Sequence, residues 1–318
     1  MATVTHDKAV ASNRLRSGLL CAALSATAFG LSGPLARGLF DAGWSPAAVV
    51  IVRVLLGALV LLPAAVLQLR GDWNLLRRNA GLLAGYGLLA VVTAQLCFFN
   101  AVAHMDVAVA LLIEYTSPIA VVGYLWLRHR QQPGRATVLG AAIGLIGLVL
   151  VLNLTAGTAT SPVGIAWAMA SMVGGAGYFI LSAHAGDQVP GTVLATGGLL
   201  IGGVGILIAG LLGVVPLHAT TAASVTYQGL TADWWTPLLA LGVVTAAISY
   251  VTGIAATRLL GSRLASFAAL AEVVAAILFS WALLGQAPAP IQLLGGALIL
   301  TGVVVVRLGE PDHDTTAP

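Results

Sequence analysis

Apolar residues in this chain do not alternate at the period of a half-buried helix or strand. They run on for about 20 positions, give way to a few polar residues, and resume, from one end of the sequence to the other. A helix that crosses a bilayer needs roughly 20 apolar residues. The pattern predicts ten spans: Ser17 to Ala36, Pro46 to Leu69, Ala80 to Ala103, Val107 to Leu127, Ala136 to Leu154, Pro162 to Ala183, Thr192 to Val214, Thr236 to Thr257, Ser262 to Leu284 and Ile291 to Val306. The expected fold class is an all-α membrane protein, with polar tails over residues 1–16 and 307–318, the latter expected to be disordered.

Composition agrees with a lipid solvent. Of the 318 residues 59% are apolar and 8% charged, too few polar groups to cover a water-facing shell. The net charge of +3 does not point to nucleic acid, because the basic residues sit at the ends of apolar runs and not in a stripe with aromatics. Cys21 and Cys97 fall inside spans as small hydrophobes, so no disulfide and no metal site are expected. The basic N-terminus precedes an apolar run that continues through Pro34 without a small-residue cleavage pattern, which predicts a retained first helix.

Counted on alternating sides, one set of joints holds Lys8, Arg14, Arg16, Arg70, Arg77, Arg78, Arg128, Arg130, Arg135, Arg258, Arg263 and Arg307, and the other holds Arg37 alone. The positive-inside rule then places both termini in the cytoplasm. From Ala80 onward the chain also matches itself at an offset of 155: Gly87 with Gly242, Trp126 with Trp281, Gln131 with Gln286, Pro133 with Pro288, Gly140 with Gly295 and Gly147 with Gly302. Residues 17–154 and 162–306 are thus two copies of five spans. An odd number of spans per copy forces the second copy to lie inverted, the architecture of alternating-access carriers.

Three ionisable residues lie within spans, Arg53, Glu114 and Glu272. A charge at the centre of a spanning helix costs roughly 2.5–3.5 kcal/mol on insertion scales, so such residues mostly face a bundle interior or a wet cavity. Arg53 and Glu114 each lie about 10 Å from the same membrane face at 1.5 Å per residue, so they can form a structural ion pair; Glu272 lies near the midplane without such a partner. At the 155 offset Glu114 falls on Ala269 and Glu272 on Ser117, which sets the carboxylates one helical turn apart in register, on a face they can share. Pro118 frees the carbonyl of Glu114 and Pro34 that of Gly30, and proline-interrupted spans point to transporter sites or to simple kinks. Gln95, Asn100, Tyr115, Thr116, Ser117, Tyr178, Ser249, Tyr250 and Thr252 are polar at membrane depth, available to a substrate or to neighbouring helices.

The glycine pairs Gly140/Gly144 and Gly198/Gly202, and Gly174, suit close helix packing. Trp44, Trp73, Trp234 and Trp235 are placed as interfacial anchors. The histidines are scattered over loops and tails in no metal or triad spacing. The joint from Val215 to Trp235 is the longest outside the membrane, a lid or a connector.

Arg53 in the second span, the FFNA run Phe98 to Ala101, the IEYTSP run Ile113 to Pro118 and the LLGGALILTGV run Leu293 to Val303 resemble the drug/metabolite transporter superfamily, in its ten-helix form with paired EamA domains. The IEYTSP run is similar to the threonine and homoserine exporter branch, which implies export of amino acids or related metabolites in exchange for protons. Two departures stand out. The family's Glu-Pro of the ninth span is here Glu272-Val273, which leaves that helix unkinked at this point, and its Gly-Glu is here Gly285-Gln286.

These readings converge on a secondary active transporter in the cytoplasmic membrane, a monomer or a homodimer, without cofactor. Its expected substrate and coupling residues are Glu114, Glu272, Arg53, Gln95, Asn100, Tyr115, Ser117, Pro118, Tyr178 and Tyr250. A proton-coupled exporter and an uncoupled facilitator or uptake carrier both fit; an enzyme would need a nucleophile and base or metal ligands that the spans do not show.

Overall fold

A computed structural model of the protein describes residues 2–104, 110, 113–152, 161–186, 188–221, 224–285 and 287–309. The start of the fourth predicted span, the joint around residue 155, Gln286 and the tail from residue 310 lie outside these. The rest is a helical bundle. Span 1 runs from Ala2 to Gly30 and, after a turn at Leu31, from Ser32 to Asp41; its helix starts well before Ser17. Span 2 is Pro46–Leu69, opened by Ser45, whose hydroxyl accepts from the Ala48 amide ahead of a first-turn proline. Span 6, Pro162–Ala185, opens in the same way on Ser161. Span 5 is Arg135–Leu152, span 7 Gly191–Leu211 and span 10 Pro290–Leu308.

Besides span 1, four spans are interrupted, and these four interruptions follow the repeat. Span 3 comprises Ala80–Tyr86, a π-helical stretch Gly87–Thr93 and Ala94–His104. Span 8 comprises Trp235–Gly242, a π-helical stretch Val243–Ile248 and the helix from Ser249. Moved by 155, one π stretch falls on the other within a residue. Span 4 turns at Tyr115 and Thr116 before the helix Ser117–His129, and span 9 turns at Ala269 and Leu270 before Ala271–Leu284. Span 9 is therefore broken just before Glu272, contrary to the unkinked helix expected there. The proline at position 118 is not needed at its counterpart, Val273, because hydrogen bonds to the third residue back (Leu270 to Phe267, Glu272 to Ala269, Val273 to Leu270) tighten the chain through the turn. Spans 4 and 9 also end at matching residues, Arg130 and Gly285, both left-handed.

Among the described residues seven helices are long and apolar enough to cross a membrane, and Arg135–Val151 and Ala271–Leu284 are shorter apolar helices. One of the seven, Trp235–Ala268, holds span 8 and the start of span 9, which separate at Gly261 with its φ of 81°.

Glycines show how the copies meet. A Cβ on Gly140 would lie 2.7 Å from the carbonyl of Gly302, one on Gly302 2.7 Å from that of Gly140, and Gly147 and Gly295 block each other at 2.6 Å. Gly140 and Gly295 are repeat mates, as are Gly147 and Gly302, so exchanging mates turns the contact of Gly140 with Gly302 into that of Gly295 with Gly147. That reciprocity is the mark of a two-fold axis, here between spans 5 and 10. Other contacts come in pairs: span 1 with 8 as 6 with 3, span 1 with 9 as 6 with 4, and span 2 with 8 as 7 with 3. Not every contact has a mate. Among the described residues span 6 packs against span 8, whereas spans 1 and 3 do not form the corresponding packed contact.

The long joint after span 7 folds into an antiparallel hairpin, Ser224–Tyr227 with Leu230–Asp233. Val225 and Tyr227 bury against Leu35, Leu39 and Trp44, and the Tyr227 hydroxyl donates to the Leu35 carbonyl at 2.7 Å. Trp44 is buried beneath this hairpin end, stacked on Trp234 and donating to Thr220, and is not the lipid anchor expected of it.

Candidate functional site

The spans enclose a cavity of about 360 Å³, lined from both copies, within the size range of small-molecule sites. Its geometry follows from the interruptions. Glu114 stands just before the turn in span 4 and Glu272 just after the turn in span 9, so two broken helices present one carboxylate each to a common space. Glu114 Oε1 lies 2.8 Å from the Ser171 hydroxyl, and Tyr115 and Glu272 line the same space. Gly30 packs so closely on span 9 that a Cβ there would sit 2.8 Å from the Glu272 carbonyl, which fixes the broken end of span 1 beside the second carboxylate.

Arg53 is buried and lines the same cavity. Its guanidinium donates to the Thr245 carbonyl, inside the π stretch of span 8, at 2.9 Å and lies 5.7 Å from the centre of the Phe29 ring, a cation–π distance. The Arg53–Glu114 ion pair that their shared depth allowed is absent: among the described residues the one ion pair is Arg37 with Asp41 at the surface. Among the described residues Arg53 Nε and the Tyr178 hydroxyl have no hydrogen-bond partner. Buried polar groups are normally paired, so these two are donors left for something that enters.

Rings line the rest of the space. Phe29 meets Tyr250 edge-on at 5.3 Å, Tyr250 meets Tyr178 at 5.7 Å, and Tyr178 meets Phe179 at 4.9 Å. Tyr178 also closes one side, since its hydroxyl would clash with any side chain at Gly253 of span 8. Of the ten residues expected from sequence, Glu114, Glu272, Arg53, Gln95, Tyr115, Ser117, Tyr178 and Tyr250 line the cavity. Asn100 does not: its amide donates to the Leu96 carbonyl of its own helix at 2.8 Å. Pro118 is buried at the start of its helix and acts through the backbone alone.

Sequence reasoning missed Ser25, Phe29, Phe98 and Ser171, which line or brace the cavity. The signal was a change of offset. The first spans of the two copies align at 146 and not at 155, and at 146 Ser25 falls on Ser171 and Ala22 on Ala168.

The cavity can hold a molecule with both charges: a guanidinium for an anionic group, two carboxylates for a cationic one, and ring faces for what lies between. Among the described residues no His, Cys, Asp or Glu cluster is arranged for a metal ion.

Comparison with known proteins agrees with this architecture. The EamA-like transporter family matches the chain twice, over residues 16–153 and 162–308. The matches begin 146 residues apart and end 155 apart, so the second copy carries extra residues, and its hairpin joint supplies them. The uncharacterized inner membrane transporter YicL of Salmonella typhimurium is 25% identical over 305 residues, covering 92% of this chain and 96% of that protein. An uncharacterized transporter of Clostridium kluyveri is 22% identical over 266 residues, covering 82% and 83%. One crystal structure of a protein superposes with a TM-score of 0.73 at 23% identity, covering 93% of this chain and 97% of its own, a likeness of fold.

Proposed function

On the premise that this chain belongs to the EamA-like transporter family, we propose that it exports amino acids or related amines across the cytoplasmic membrane in exchange for protons. It is a multi-pass membrane transporter of small molecules and not an enzyme; the substrate class, the coupling and the direction are our reading. The observation that carries it is the meeting of Arg53, Glu114 and Glu272 in one ring-lined cavity between inverted copies. Arg53 receives the substrate carboxylate through the free edge of its guanidinium. Glu272, beside the turn of span 9, receives the amine and releases its proton as it does so. Glu114 serves as the second exchanging carboxyl, and the broken spans let the copies rock about the site. Both termini are on the cytoplasmic side in this reading, as the basic joints require.

The test is a panel of radiolabelled amino acids and amines offered to protein reconstituted in vesicles, with and without an imposed pH gradient. Efflux against a concentration gradient when protons run the other way is expected. Flux that follows the substrate gradient and ignores the pH gradient would replace this reading with an uncoupled facilitator, and absence of flux for the whole panel would remove amino acids and amines as substrates.

A further inference from the structure

Two serines, one in each copy, close the same joint. Ser25 of span 1 donates to the carbonyl of Ser249 at 2.9 Å, and Ser171 of span 6 donates to that of Ala94 at 2.7 Å. Ala94 and Ser249 are repeat mates, and each is the residue that follows a π stretch. Both serines are buried, at 7% and 0% exposure, and Ser171, unlike Ser25, does not line the cavity.

The joints differ in one respect. Ser171 Oγ also lies 2.8 Å from Glu114 Oε1, whereas the mate of Glu114 near Ser25 is Ala269. A serine hydroxyl carries a single proton, and a backbone carbonyl can only accept. Ser171 can satisfy both neighbours only when Glu114 supplies the second proton. Once ionised, Glu114 is itself an acceptor alone, and a charged acceptor forms a bond roughly twice as strong as a neutral one. The hydroxyl then turns to the carboxylate, and the carbonyl of Ala94 loses its tie to span 6.

We propose that Ser171 is a positioning residue that reads the protonation of Glu114 and passes it to the junction between the π stretch and the helix of span 3. This rests on the reading above, in which Glu114 exchanges protons. Gly174, one turn further along span 6, makes the transmission direct. A Cβ there would lie 2.5 Å from the Ala94 nitrogen and 2.8 Å from the Leu89 carbonyl, so the two backbones touch with no side chain to cushion the change. The other charged or titratable groups on the cavity are Arg53 of span 2, Tyr115 of span 4, Tyr178 of span 6, Tyr250 of span 8 and Glu272 of span 9. Glu114 is the one in contact with Ser171.

The test is amide deuterium uptake over residues 87–98 in the full chain in lipid nanodiscs, without substrate, in acidic and alkaline buffer and corrected for the intrinsic pH dependence of exchange. Wild-type uptake is expected to rise about five-fold on the alkaline side, the equivalent of one hydrogen bond. Ser171→Ala should be high and Glu114→Gln low, each without pH response, because the carboxamide supplies a permanent donor. Ser171→Thr should restore the response, and Glu272→Gln should move its midpoint and keep its size. Ser25→Ala should raise uptake around residues 243–253 alone. A flat wild-type profile, or a wild-type response in Ser171→Ala, would overturn the proposal. No transport is measured, so failure of proton-coupled export in vesicles and failure of this relay are separate results.

Discussion

Arg53 shows what one charged side chain does inside lipid. Its charge is tolerated because the Thr245 carbonyl and the Phe29 ring solvate it, and its free Nε edge remains available to a ligand. Lysine keeps the charge and loses the planar fork. Arg53→Lys is therefore expected to fold and insert normally while weakening substrate binding about ten-fold or more, the equivalent of one charge-assisted hydrogen bond, which radioligand titration of purified protein will measure. A wild-type affinity would show that Arg53 serves only span 8. Glu272→Gln makes the complementary case: exchange of labelled for unlabelled substrate at equal pH should persist, and flux driven by a pH gradient should vanish. Arg53, Glu114 and Glu272 were legible because an ionisable residue within an apolar run is costly. Asn100 gave the same signal with another cause, its amide spent on Leu96 of its own helix, and Ser25 and Ser171 gave almost none, since a serine in a membrane helix is cheap and its role depends on which carbonyl lies opposite.

The elements carry a second layer of information that composition hides. Nothing in residues 266–273 resembles a helix breaker, yet span 9 turns there as span 4 does at its proline, because the break is fixed by packing and by bonds to the third residue back. Proline is tolerated in the first helical turn and costs about 3 kcal/mol or more in a helix interior. Val273→Pro, at the start of Ala271–Leu284, should thus cost only about 1 kcal/mol for its lost bond to Leu270, whereas Leu278→Pro, on an exposed face of the same helix, should cost at least three times as much. Thermal melts followed by size-exclusion chromatography will rank the two, and equal losses would deny the break. The hairpin gives a pH-dependent case. Burial of Tyr227 raises its phenol from 10.0 to about 12. Folding favours the protonated form, so its contribution is complete below pH 10 and is lost as pH rises toward 12. Fluorescence of the stacked Trp44 and Trp234 should report undocking of the hairpin over that interval, and Tyr227→Phe should remove the step, leaving the hairpin weaker by about 1 kcal/mol at neutral pH.

At the scale of the molecule the informative feature is a contact without a mate, that of span 6 with span 8. Spans 6 and 8 are closed upon each other through Tyr178 and Gly253, toward the end of the bundle away from the hairpin. The two-fold relation assigns to that pair Ser32 in span 1, at the 146 offset, and Phe98 in span 3, at 155, and both of these line the open cavity. The sequence displayed the two copies and their inversion, because Trp, Gln, Pro and Gly recur at one offset and each copy has an odd number of spans, but it held no trace of this asymmetry: one chain carries the residues of both closures, and a fold in one state makes only one of them. In the reverse state spans 1 and 3 should close as 6 and 8 do here, with Phe98 against Ser32, while Tyr178 leaves Gly253. Once Cys21 and Cys97 are replaced by alanine, the pair Ser32→Cys and Phe98→Cys should cross-link under oxidant and arrest transport. Spin labels at Ala185 and Leu260, at the same ends of spans 6 and 8 as Tyr178 and Gly253, should then separate, and an unchanged separation in the cross-linked protein would mean that the two closures are not alternatives and that the copies do not exchange roles.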